Sequence, residues 1–310
     1  MPSSLISLGA NLGNVLETMR SAGRLIREAF QDDASVTFSR IFRTPPVGGP
    51  TGQGEFLNAM VRVDHSRSLW DVWNTIQKIE TDLGRQRNQR WESRRIDIDL
   101  ILHDSVRLWT PHLKIPHPRM CMRSFVLQPA LEIASDFIDP VSQWSIRQLA
   151  AHLDKLTARG AAPSIAIGCN SVFVHEGLQK AFVELPQGLR NSITLKTTTH
   201  PSDWIMEMRT IGDESNQHPM RSVDLRIACV KTPDPESVQW EDYSTPWAVM
   251  LGLQPHTRKS NPISGDLSEP IAGPRYLLPG NDLAWAVHEI LAAGQAMRCP
   301  VEPTESNWVS

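Results

Sequence analysis

The sequence predicts an α+β first unit, residues 1–157, followed by a smaller α/β unit, residues 158–310. Three observations lead there. Apolar residues recur at helical spacing over 14–30 and 69–83, whereas they alternate strictly with polar ones over 96–100. Short apolar runs bounded by turn residues separate those segments. Composition then shifts near residue 157: most of the 23 prolines lie beyond it, and a turn-rich run at 255–274 interrupts the pattern.

Taken in order, residues 4–10 (SLISLGA) form an apolar run stopped by Gly9 and Asn11, which reads as a buried strand and a turn. Over 14–30, Leu16, Met19, Gly23, Ile26 and Phe30 share one helical face, and Glu17, Arg20, Arg24 and Arg27 the other. Val36, Phe38, Arg40 and Phe42 continue as a strand into TPPVGGP (44–50), a turn held by fixed proline dihedrals. A second strand is expected at 56–63. Leu69, Val72, Trp73, Ile76 and Leu83 mark the next helix, which Gly84 ends. At 96–100 Ile96, Ile98 and Leu100 share one face of a strand and Asp97 and Asp99 the other. The order is β-α-β-β-α-β, ferredoxin-like, with further helices at 119–133 and 145–156. The second unit offers strands at 164–167, 193–197 and 223–230 and helices at 174–182 and 282–297.

A formal net charge of −3 and a sequence pI near 6.4 exclude a chain that coats nucleic acid or an anionic membrane through bulk charge, so an anion site must be local. The start MPSSLISLGANLG has neither a basic beginning nor a sustained apolar core, which makes the cytoplasm the expected compartment, with no membrane or nucleic-acid partner. Cys121, Cys169, Cys229 and Cys299 lack CxxC spacing and are expected to be buried, reduced thiols.

The stretch RWESRRIDIDL (90–100) carries the chemistry. Two carboxylates on one strand face repel unless a cation lies between them, and Mg²⁺ is commonly held by one or two carboxylates plus substrate phosphates. Arg85, Arg87, Arg90 and Arg94 supply forked donors suited to phosphate oxygens. The residues alone admit two readings: a metal–polyphosphate site, or a solvated loop whose arginines pair with Glu92, Asp97 and Asp99. A third, single-stranded RNA on a ferredoxin-like sheet, needs a run of sheet aromatics that the sequence lacks.

Six ordered motifs then match one family: LGANLGN (8–14), FRTPPVG (42–48), EFLNA (55–59), IQKIETDLGRQR (76–87), RWESRRIDIDLIL (90–102) and LKIPHPRMCMRSFVLQPALEIA (113–134). Over residues 5–153 the chain resembles 6-hydroxymethyl-7,8-dihydropterin pyrophosphokinase, a folate-pathway enzyme. The resemblance implies transfer of the β,γ-diphosphate of ATP to the pterin hydroxymethyl group with release of AMP. It implies that Asp97 and Asp99 hold two Mg²⁺ ions, with Arg94 and His117 on the phosphates. It places Gln77, Glu80, Arg87, Arg90, Trp91, Leu100, Lys114 and Arg123 on the ATP side. Thr44, Pro45, Val47 and Asn58 would read the pterin edge while Phe56 and Phe125 sandwich its ring.

Two positions depart from the family pattern. Trp91-Glu92-Ser93-Arg94 stands where Trp-Gly-Pro-Arg is usual, and His112 where a basic residue, often arginine, is frequent. The alternatives kept open are a catalytically inactive pterin- or nucleotide-binding module of the same fold, and an RNA-binding protein. Residues 158–310 resemble no family; the loop GCNSVF (168–173) lacks GxxxxGK[ST]. That half is expected to pack or to oligomerise, giving a homo-oligomer through the C-terminal half.

Overall fold

β1 (Ser3–Ala10) is the strand on which the first unit is built, because both its neighbours pair with it antiparallel along nearly its whole length: β4 (Phe56–His65) on one side and β5 (Asp97–His103) on the other. The computed structural model describes residues 2–32, 34–48, 52–84, 95–110, 112–169, 172–198, 223–230, 273–304 and 307–309. β2 (Ala34–Phe38) and β3 (Phe42–Thr44) pair with successive parts of β4. The single strand expected over 36–42 is therefore broken, and Ser39 explains the break. Its hydroxyl, rather than a backbone carbonyl, accepts the Met60 amide at 2.8 Å and donates to the Arg40 carbonyl at 2.7 Å. A side chain thus takes a place in the ladder and the strand bends there.

Two helices cover one face of this sheet. α1 (Val15–Phe30) starts at Asn14, whose side-chain oxygen accepts the Glu17 amide, and buries Met19, Ile26 and Phe30, each worth roughly 1.5–3 kcal/mol when removed from water. α2 (Leu69–Asp82) opens with a reciprocal Ser68–Asp71 capping box and ends at Leu83 and Gly84, the latter at φ 81°. Between them lies a core of Ile6, Leu8, Ala59, Val61, Ile98 and Leu100 with the helix residues above. The opposite face meets α3 (Ser124–Ala134), against which α4 (Ile146–Arg159) packs. The helix expected over 119–133 is interrupted. A 3₁₀ turn spans Met120–Met122, and Arg123 adopts an extended backbone before α3 begins. A short hairpin, β6 (Leu108–Trp109) with β7 (Lys114–Ile115), follows β5 and has no periodicity in the sequence to announce it.

The chain divides into two compact units, Met1–Pro140 with Trp144–Arg159 and Gln295–Ser310, and Val141–Gln143 with Gly160–Gly294. Residues 295–310, which the sequence assigns to the second half, thus belong with the first. The physical reason is burial. Trp308 is 2% exposed within the first unit's core, donates its indole N–H to the Ser39 carbonyl at 2.8 Å and meets Phe38 edge-on at 5.4 Å. β12 (Glu302–Pro303) adds an edge to β3.

In the second unit four strands run parallel in the order β11-β10-β8-β9: β8 (Ser164–Cys169), β9 (Thr194–Thr198), β10 (Leu225–Val230) and β11 (Arg275–Pro279). Asp224 accepts the backbone N–H and the hydroxyl of Ser164, tying the starts of β8 and β10. α5 (Val172–Glu184), the short α6 (Gln187–Arg190) and α7 (Leu283–Met297) complete the described elements. β11 was not expected from the sequence. All four cysteines are free and buried.

Candidate active site

One row across the sheet organises the site. Phe42 on β3, Asn58 on β4, Gly9 on β1 and Asp97 on β5 are successive register partners. Partners in register point to the same face. Asn58 and Asp97 therefore face the same way, separated only by a glycine and by two strand spacings, roughly 10 Å. Gly9 keeps that interval open: a Cβ there would stand 3.3 Å from the Asn58 side-chain oxygen. Phe56 and Asp99 extend the same face, being two residues along their strands from Asn58 and Asp97.

On one side of Gly9 the groups are neutral. Asn58 is buried, and its Nδ2 donates to the Thr44 hydroxyl at 2.9 Å. That bond fixes the amide orientation and leaves Oδ1 beside Gly9. Thr44 is buried at the end of β3, Pro45 is exposed and Val47 is half-buried. Phe125 sits half-buried in the first turn of α3, with the Arg123 guanidinium carbon 5.4 Å from its ring centre.

The other side is charged. Asp97 and Asp99 are both partly exposed while Ile98 between them is buried. Glu80 holds this strand start from behind: it is 2% exposed, and its Oε1 accepts the Ile98 amide at 2.8 Å. That carboxylate, expected on the ATP side, fixes the start of the strand that carries the two aspartates. Leu100, on this strand, is likewise expected on the ATP side. Its side chain lies in the hydrophobic core, so an ATP contact from it would be through backbone. Gln77 is half-buried on α2 and Lys114 half-buried on β7.

His117 reaches the carboxylates from the segment after β7, whose backbone is tied to β5 by the His117 amide donating to the Ile101 carbonyl at 2.8 Å. Its Nε2 is 3.9 Å from Asp99 Oδ2. Burial, and then the positive charges of Arg123, Arg119 and Lys114, hold the imidazole pKa well below the usual histidine value. The ring is thus neutral at pH 7. Nδ1 accepts the Arg119 amide at 3.2 Å, which puts the ring proton on Nε2, facing the carboxylate side. A neutral donor ringed by three cations suits a phosphate oxygen.

Among the described residues, no group of three or more His, Cys, Asp or Glu side chains is placed to hold a metal ion. The Asp97–Asp99 pair fits Mg²⁺ nonetheless, because that ion keeps several waters and accepts one or two carboxylates with substrate phosphates completing its shell. Arg87, Arg90, Trp91 and Arg94 lie outside the described residues. The structure adds Gly9, whose place inside a strand is a signal of close approach, and Arg119, which the sequence does not separate from the other loop cations.

A family model for 7,8-dihydro-6-hydroxymethylpterin-pyrophosphokinase matches residues 5–135. The 2-amino-4-hydroxy-6-hydroxymethyldihydropteridine pyrophosphokinase of Haemophilus influenzae is 34% identical over 143 residues, covering 46% of this chain and 88% of that protein. The chain belongs to this pyrophosphokinase family. The Bacillus subtilis pyrophosphokinase is 37% identical over 131 residues, 41% of this chain and 75% of its own. The mitochondrial folate synthesis bifunctional protein of Arabidopsis thaliana is 34% identical over 151 residues, 48% of this chain and 26% of that one. As a pyrophosphokinase the chain is an ATP-dependent diphosphotransferase. Among the described residues no helix is long and apolar enough to cross a membrane.

Proposed function

We propose that the first unit transfers the β,γ-diphosphate of ATP to the hydroxymethyl group of 6-hydroxymethyl-7,8-dihydropterin, releasing AMP, with the substrates meeting over Gly9. The observation that carries the assignment of residues is the row Asn58–Gly9–Asp97, which sets a neutral hydrogen-bonding side against a carboxylate side on one sheet face.

On this reading the pterin lies by Thr44, Pro45, Val47 and Asn58, with Phe56 and Phe125 on its ring faces. The amide of Asn58, preset by Thr44, is complementary to the polar edge of a heterocycle. The polyphosphate lies by Asp97 and Asp99, the carboxylates that would hold two Mg²⁺ ions; such ions would supply neutralisation of phosphate charge. His117 donates Nε2–H to a phosphate oxygen, and Lys114 and Arg123 add charge without needing to change protonation. Gln77 and, from the arginine loop, Arg87, Arg90, Trp91 and Arg94 complete the ATP side. The second unit, with its all-parallel sheet, is read as a small α/β domain outside this chemistry.

The test is AMP formation from ATP with and without the pterin alcohol, in wild type and in Asp97→Asn and Asp99→Asn. Losing one ligand should cost several kcal/mol of charge stabilisation, on the order of a hundredfold or more in turnover. Near-wild-type turnover in either folded variant would defeat the assignment of these carboxylates.

A further inference from the structure

The pterin side of the proposed site comes from two separate elements, the turn after β3 and the first turn of α3. The turn is poor in its own hydrogen bonds, since Pro45 and Pro46 have no N–H to give. Gly48, at φ 68°, must supply its amide to something else. That partner comes from beyond the residues the family model matches. Gln295 Oε1 accepts the Gly48 N–H at 3.3 Å. Cys299 Sγ stands 3.9 Å from the Pro45 carbonyl oxygen and 3.6 Å from that of Pro300, and burial pushes its thiol up to about 11, so it keeps one S–H shared between the two.

The same segment holds the second element. The Ser124 hydroxyl, in the first turn of α3 one residue before Phe125, donates to the Met297 carbonyl at 3.3 Å. Further on, the Thr304 amide and hydroxyl both donate to the Ile41 carbonyl, at 2.8 and 3.1 Å, while Glu302 and Pro303 pair with Arg43 and Phe42. The strand that delivers Thr44 is thus bordered on its outer edge, its following turn is held at Gly48 and touched at Pro45, and the helix that delivers Phe125 is tied to the same ten residues.

We propose that residues 295–304 are a brace that sets the width of the pterin pocket, with Gln295 as a positioning residue acting through the Gly48 amide. This rests on the pterin reading of the 44–48 turn. The Gln295 contact falls on the 44–48 turn, away from β5 and the 114–117 segment, so it acts on pterin affinity and leaves ATP affinity alone, whereas Ser124 adjoins Arg123 and bears on both.

The experiment uses the full chain carrying Gln295→Ala, Ser124→Ala and both together, with Gln295→Glu, which keeps an acceptor oxygen, as the conservative control. Losing two hydrogen bonds should raise the KM for the pterin alcohol about fivefold or more in the double variant, and Gln295→Ala alone should raise it with kcat and the ATP KM within about twofold. Gln295→Glu should stay near wild type. Amide hydrogen exchange over residues 42–48, measured without substrate, should speed up in the double variant while exchange in β1 and β5 stays at the wild-type rate. Unchanged exchange, or an unchanged pterin KM in an active enzyme, would overturn the brace, as would equal rises in both KM values in Gln295→Ala. A wild type that makes no pterin-dependent AMP while its exchange still depends on Gln295 would instead overturn the pterin reading and the brace's catalytic role with it.

Discussion

Replacing Trp308 tests whether the tail is part of the first unit's core. The indole is 2% exposed, donates to Ser39 and lies over α1 at Gly23, where an added Cβ would stand 2.9 Å from Trp308 Cζ3 and 2.5 Å from Val309 Cγ2. Truncating a buried Trp to Ala costs about 3–5 kcal/mol. At about 2–4 °C per kcal/mol for a domain of this size, the melting temperature should fall by roughly 6–20 °C. Trp308→Phe keeps a six-membered ring but loses the pyrrole half of the indole and its N–H, so an intermediate loss of about 1–3 kcal/mol is expected. Gly23 supplies the sharper measurement. Alone, Gly23→Ala gains about 1 kcal/mol of helix propensity but loses about 1–3 to overpacking. With Trp308 and Val309 both Ala the overpacking is gone, and the same change should stabilise by about 1 kcal/mol. Urea unfolding followed by circular dichroism reads both arms of this cycle. If Gly23→Ala has the same effect in both backgrounds, or Trp308→Ala moves the melting temperature by less than about 3 °C, the tail does not pack on α1 and the reasoning fails.

Glu80→Ala strands the buried Ile98 amide and should cost about 1–3 kcal/mol along with turnover, whereas Glu80→Gln keeps the acceptor and most of the stability; equal melting temperatures for the two would refute its role behind β5. His117 has a folded pKa well below its unfolded value near 6.5, so the unfolded chain binds the extra proton as pH falls. Its stability contribution is complete above about pH 6.5 and is lost below it at up to about 1.4 kcal/mol per unit. His117→Asn should flatten that acid limb, and pH-dependent urea titrations check the slope. A chain ending after α4 should expose hydrophobic surface and melt below the full chain; a truncation with wild-type cooperativity in calorimetry would contradict this.

Much of the first unit was legible because its elements bury one face each. Period two at Ile96, Ile98 and Leu100 gave the strand and put Asp97 and Asp99 opposite the core, and Gly84 ended α2 where its left-handed backbone was needed. Glu80 was legible in principle: it lies four residues after Ile76, on the buried stripe of α2, where a carboxylate must have a partner. The break at Ser39 left no periodic trace, because a hydroxyl replaced one backbone group without altering the alternation around it. β12 is two residues long and contains a proline, and Trp308 sits in a tail with no repeat to place it. Their positions are set by partners more than two hundred residues away, |i−j| being 269 for Trp308 and Ser39. Long-range docking of that kind is invisible to local pattern.

The return of the chain to its first unit sets an order of events during synthesis. β1 to α4 leave the ribosome without the segment that fills the slot over Gly23 and borders β3, and they wait while residues 160–294 are made. At roughly 5–20 residues per second the interval is on the order of ten seconds. Throughout it β3 presents an open strand edge, the feature by which nascent chains mispair and chaperones recognise them. A message broken anywhere within the second unit would yield a first unit that never receives Trp308 or Gln295. On the proposed reading, completion of the turn after β3 is thereby made conditional on translation through the whole second unit.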